Sequence, residues 1–186
     1  MHNGIGGQMR KVFLAPHNDD ETLFGSFTIL REQPHVVFCL RCDTQVDPDY
    51  GAPYNIREKE SEAASKVLGY TYEQWDILAS NPDWNRLYEK FRILRDIRNC
   101  EQVWAPKIEK DGHPAHNMIG ELALEVWPVV NQYCTYTLAG KMTGTEVPYN
   151  PKWVAKKIEA MACYKSQAAG LNCHKYFLRD QKEYIV

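Results

Sequence analysis

Short apolar runs rich in β-branched and aromatic residues alternate along this chain with amphipathic stretches of about ten residues or more. Lys11–Ala15 (KVFLA), closed by Pro16, and His35–Cys42 (HVVFCLRC) have the length and composition of buried strands. Glu73–Leu78, Gln102–Ala105 and Cys134–Leu138 are weaker runs of the same kind. Between them, helical patterns are expected over Thr22–Arg31, Ile56–Leu68, Asn85–Asn99, Met118–Val126 and Lys152–Lys165. Gly69 punctuates the second of these helices, and Leu87, Phe91, Leu94 and Ile97 give the third its apolar stripe. Such alternation predicts βαβ units, and hence an α/β fold: a single Rossmann-like domain with a mostly parallel sheet flanked by helices. In such sheets ligands sit outside the carboxyl ends of the strands.

The chain of 186 residues fits one domain, read as a leader over residues 1–9 and a single domain over 10–186. The net charge of −2 supplies no broad basic field, so binding to nucleic acid or to an anionic membrane is not expected. The six cysteines are scattered in a chain too long to need a disulfide scaffold, and read as small buried hydrophobes in a reducing compartment. No apolar run approaches the roughly 18–20 residues of a membrane span. The first ten residues lack the apolar core of a signal peptide, so a cytoplasmic location is expected.

Two segments concentrate chemistry at predicted strand ends. After the first strand comes His17-Asn18-Asp19-Asp20-Glu21, leading into a helix. The acidic residues alone would suit a helix N-terminus, where they cap and complement the dipole, but a cap has no need of His17. After the fourth strand comes His113-Pro114-Ala115-His116, in a loop before another helix. These histidines alone would equally suit a surface loop or a cap. Together the segments place two or more histidines and several carboxylates on one sheet edge. Two histidines, one carboxylate and an open position for water is a common catalytic zinc arrangement. Cys39 and Cys42 form a C-x-x-C with no second pair, and strand alternation places them on opposite faces.

The pairing of PHNDDE with HPAH resembles the PIG-L/LmbE-like zinc N-deacetylases, whose pattern is close to A-H-P-D-D-E and H-P-D-H. Arg57 and Glu60 resemble the family's R-x-x-E helix, and Lys157 with Tyr164-Lys165-Ser166-Gln167 its late K…H-x-S-Q segment. The resemblance spans residues 11 to about 167. It implies that His17, Asp20 and His116 bind one Zn2+, that Asp19 is the general base, that His113 stabilises the oxyanion or assists as an acid, and that Arg57 helps bind substrate. The implied reaction is attack of zinc-activated water on the amide of a small N-acylated substrate, an amino sugar or related conjugate. A modified nucleoside substrate, a homo-oligomeric state and a non-catalytic relative that binds sugar or metal all stay open. Two departures stand out: Asn18 replaces the family proline, and Ala115 replaces the family aspartate, which could orient a neighbouring histidine.

Overall fold

The computed structural model describes residues 10–42, 55–136, 142–168 and 182–186. In chain order the elements are β1 (Lys11–Ala15), α1 (Asp20–Glu32), β2 (His35–Phe38), α2 (Asn55–Leu68), β3 (Tyr72–Gln74), α3 (Trp84–Asp96), β4 (Gln102–Pro106), α4 (Pro114–Val126), β5 (Asn131–Tyr133), β6 (Thr145–Glu146), α5 (Pro151–Ala162), α6 (Lys165–Ala168) and β7 (Tyr184–Ile185). The sheet runs in the order β3-β2-β1-β4-β5-β7-β6. Its β3-β2-β1-β4-β5 portion is parallel, and β7 and β6 add an antiparallel edge. The Rossmann-like α/β expectation therefore holds. β2 and β3 lie on one side of β1, and β4 and β5 on the other, so the crevice between the carboxyl ends of β1 and β4 is a topological switch point, where such sheets place their ligands.

Side-chain alternation along β1 builds two cores, one on each face of the sheet. Val12 and Leu14 pack with Val37, Leu87, Phe91 and Leu122, beneath α3 and α4. Phe13 and Ala15 pack with Val36, Phe38, Leu68 and Ala160, beneath α1, α2 and α5. The two helices that follow β1 and β4 lie very close to the strands. A Cβ at Gly25 of α1 would come within 2.3 Å of the Phe13 ring, and one at Gly120 of α4 within 2.4 Å of the Pro106 carbonyl oxygen. Glycine at these positions sets the depth of both helices. Side-chain caps start α3 at Asp83 and α5 at Asn150, followed in α5 by Pro151 in the first turn.

A buried ion pair fastens α1 from behind. Lys157 Nζ donates to Glu183 Oε1 at 2.7 Å and to the Leu23 carbonyl at 2.9 Å. The Glu183 carboxylate accepts the Phe27 N–H at 2.9 Å. Lys157 is 4% exposed and Glu183 is 3% exposed, so deleting one partner strands the other as a bare buried charge. Lys157→Met is therefore expected to lower stability by about 3–5 kcal/mol in urea unfolding. A loss below about 1 kcal/mol would show that the pair is replaceable by water.

Several element boundaries depart from those expected. The strand expected over Cys134–Leu138 lies instead at Asn131–Tyr133. Its register is set by the Trp104–Asn131 pairing and by burial of the Tyr133 ring, stacked 4.5 Å from Phe13. Residues 137 and 138 of that expected strand lie outside the described residues, as does the leader over residues 1–9. β3 is Tyr72–Gln74, not Glu73–Leu78. There the Gln74 side-chain amide bonds the Phe38, Leu40 and Trp75 carbonyls where strand pairing would have continued, and pairing resumes only as an Arg41–Leu78 bridge. α4 begins four residues before the expected Met118, because Pro114 occupies its first turn. The antiparallel edge was not foreseen, since two-residue strands carry no period. No helix among the described residues is long and apolar enough to cross a membrane.

Candidate metal centre

The site is assembled from the ends of β1 and β4. Past Ala15 the chain turns through Pro16 and His17, and α1 starts at Asp20 with its carboxylate fully buried. Asp20 Oδ2 accepts the His17 backbone N–H at 2.8 Å and lies 3.3 Å from His17 Nδ1. Beyond β4, the new helix start places His116 in the first turn of α4 and not in a loop, 1% exposed. Its Nε2 lies 3.3 Å from Asp20 Oδ1. One ligand atom from each of His17, Asp20 and His116 falls within 4.8 Å of the others.

Three atoms in this cluster (Asp20 Oδ1, His116 Nδ1 and His116 Nε2) are buried with no hydrogen-bond partner. Native interiors rarely leave buried polar atoms unsatisfied, and a bound ion is one of the standard explanations. Two imidazole nitrogens and one carboxylate oxygen are also a donor set that suits zinc. Burial opposes the charge on Asp20, but His116 and His17 hold its carboxyl well below the usual carboxylate range. The ligand atoms thus fit a divalent cation in number, type and ionisation.

Asp19 is held apart from that cluster by an unusual backbone. Its φ is +126°, a strained conformation for a residue with a side chain. The Asp19 N–H donates to Glu21 Oε2 at 3.1 Å, and its carbonyl accepts from Thr22 and Leu23, so α1's own first turn fixes the strained residue. Glu21 is in turn clamped. Its Oε1 accepts the Thr22, Tyr70 and Tyr164 hydroxyls at 2.6, 3.0 and 2.6 Å. Burial raises the Glu21 carboxyl, and these hydroxyls pull it back toward the charged form. Asn18 joins the same network, donating to Ser61 Oγ at 2.7 Å, which ties the loop to α2. Burial first, then the Asp20 charge, push the Asp19 carboxyl well above its usual range, while the Arg57 guanidinium, 4.0 Å away, acts in the opposite direction. A dication in the adjacent triad would add to Arg57's pull.

His113 is the N-cap of α4, and its Nδ1 accepts the Ala115 N–H at 3.3 Å. That bond leaves the ring proton on Nε2. Burial, with His116 and His17 nearby, lowers the His113 pKa, which favours a neutral ring that still donates. Its ring lies 5.2 Å from His17 and 5.0 Å from His116, centroid to centroid. Arg57 donates to Gln167 Oε1, and Glu60 receives both the backbone N–H and the hydroxyl of Ser166 at 2.8 and 2.6 Å. The R-x-x-E helix and the late S-Q segment, far apart in sequence, therefore meet. All six residues singled out from the sequence are gathered here: His17, Asp19, Arg57 and His113 line one cavity of about 920 Å³, with Asp20 and His116 buried behind His17. The sequence does not single out Tyr136, which falls within the strand expected over Cys134–Leu138. Its ring lies 5.2 Å from that of His116, and it lines the same cavity. No local pattern marks that role.

A mostly parallel sheet whose switch point carries a His₂Asp group, with Asp20 and His116 buried and His17 at the cavity surface, defines an α/β protein whose ligand atoms could coordinate a divalent cation. No family model matches the chain, and neither does any curated protein. Solved structures do match. GalB, the 4-carboxy-2-hydroxymuconate hydratase from Pseudomonas putida KT2440, aligns with a TM-score of 0.72 at 17% identity, covering 91% of this chain and 82% of that one. A deacetylase of the teicoplanin biosynthesis pathway aligns at 0.70 and 18%, covering 90% and 88%. The N,N'-diacetylchitobiose deacetylase from Pyrococcus horikoshii aligns at 0.69 and 19%, covering 85% and 70%. Identities this low establish a shared fold and nothing finer.

Proposed function

We propose that this chain is a metal-dependent hydrolase that removes an acyl group from the nitrogen of an amino sugar or related conjugate. The observation that carries the reading is the His17–Asp20–His116 group, with Asp20 Oδ1 and both His116 ring nitrogens left unpartnered, beside Asp19, which faces the same cavity without belonging to that group. His17, Asp20 and His116 would hold a divalent ion, zinc by their donor set, and such an ion would supply Lewis acidity and lower the pKa of a nearby water to roughly 7. Asp19 takes the proton from the water whose oxygen bonds to the acyl carbon. His113 donates its Nε2–H to the oxyanion that forms. Asp19 then delivers its proton to the nitrogen as the C–N bond breaks, releasing a carboxylic acid and an amine. Arg57 holds Asp19 from behind and presents a cationic edge to the substrate.

The hydratase of similar fold is named for another use of water. Its substrate, by name, carries several carboxylates, which favour cationic partners. Among the described residues, Arg57 is the only Arg or Lys lining this cavity, and it is already engaged by Gln167 and Asp19. That favours a neutral amide. The test is amine release from N-acetylglucosamine and its conjugates by protein loaded with one equivalent of zinc. Turnover is expected, and a chelator should abolish it until zinc is restored. Zinc-loaded protein that releases no amine from any of them would instead support a non-catalytic relative that binds sugar or metal.

A further inference from the structure

The cavity's two flanks differ in chemistry. Beside Asp19 lie Arg57, Ser166 and Gln167, all polar. Beyond His113 the wall is Pro114, Ala115 and Met118 of α4, faced by Ala79, Ser80 and Pro82, and by Trp84 at the start of α3, so it is mostly apolar. This second flank is the outer edge of the core under α3 and α4: Met118 belongs to that core, and Ala79 and Ala115 pack against it. Trp84 opens α3 behind the Asp83 cap, with 47% of its surface exposed. An indole this exposed, at the rim of a reaction cavity and continuous with an apolar wall, is a surface prepared for apolar contact.

The geometry of an amide assigns the flanks, given the hydrolytic reading above, on which this inference rests. The leaving nitrogen must approach Asp19, which returns the proton, so the amine half of the substrate lies along Arg57, Ser166 and Gln167. The acyl substituent leaves the same carbon in another direction, away from the base, toward the wall beyond His113. An acetyl group would leave most of that wall bare, since cavities of this size commonly enclose drug-sized ligands. We propose that the acyl group is a longer alkyl chain, of roughly four to eight carbons by the contact it needs, lying on Pro114, Ala115 and Met118 and closed over by Trp84. The polar flank takes the sugar, and the apolar flank sets specificity.

The experiment compares kcat/KM for N-acetyl-, N-butanoyl-, N-hexanoyl- and N-octanoylglucosamine, with the hexyl glycoside of N-acetylglucosamine as a control. Specificity should rise by about two- to fourfold per added methylene up to hexanoyl. Trp84→Ala, at a half-exposed position, should fold normally and flatten the series to within about threefold, each chain length read as a ratio to N-acetyl within the same protein. Trp84→Phe should recover most of the slope. Turnover that is best with acetyl and falls with chain length overturns the acyl-chain subsite while leaving amide hydrolysis intact. A Trp84→Ala loss confined to the hexyl glycoside places the apolar group on the amine side and also overturns it. No turnover of any member contradicts the hydrolase reading itself.

Discussion

Asp19→Asn is expected to keep the bound zinc and lose about 10²–10⁴-fold in kcat, the range by which a positioned acid–base group contributes. Asparagine matches aspartate in shape and tolerates positive φ better than most residues, so the backbone at +126° should survive the change. Its N–H can still reach Glu21, and the Arg57 guanidinium still has an oxygen to face. Only the ability to accept and return a proton is removed. KM should move little, because no substrate contact is deleted. Unchanged turnover would remove Asp19 from the reaction. A loss of zinc together with activity would make Asp19 a ligand and would require a different base.

The alternation of short strands and amphipathic helices was legible because each element carries its own period, and β1 and β4 were placed almost to the residue. The switch point followed from that alternation, and with it the edge where His17, Asp20 and His116 converge. What escaped the sequence is what depends on distant partners. β5 pairs through Asn131 and Gln132, neither a strong strand former, because β4 and β7 flank it. Lys157 finds Glu183 across 26 intervening steps of chain, and nothing near either residue announces the pairing. The clamp on Glu21 draws Tyr70 and Tyr164 from different elements, so the reason Asp19 can hold its strained backbone appears only in three dimensions. The sequence spacing suggests a loop at His116, although Pro114 two positions earlier carries the signal for a helix start.

His116→Ala should erase the stabilisation that zinc confers on the native state. A ligand bound only by the folded protein at a thousand times its Kd contributes about 4 kcal/mol, which for a domain of this size is about 8–16 °C in Tm. The buried imidazole also fills space, so the variant will be less stable even without metal. The informative quantity is therefore the zinc-induced shift within each protein. Thermal unfolding of wild type and His116→Ala, each with a chelator and with saturating zinc, measures it directly. The account predicts a large zinc-induced rise for wild type and none for the variant. Equal rises in both proteins, or no rise in either, would contradict the claim that His17, Asp20 and His116 share one ion.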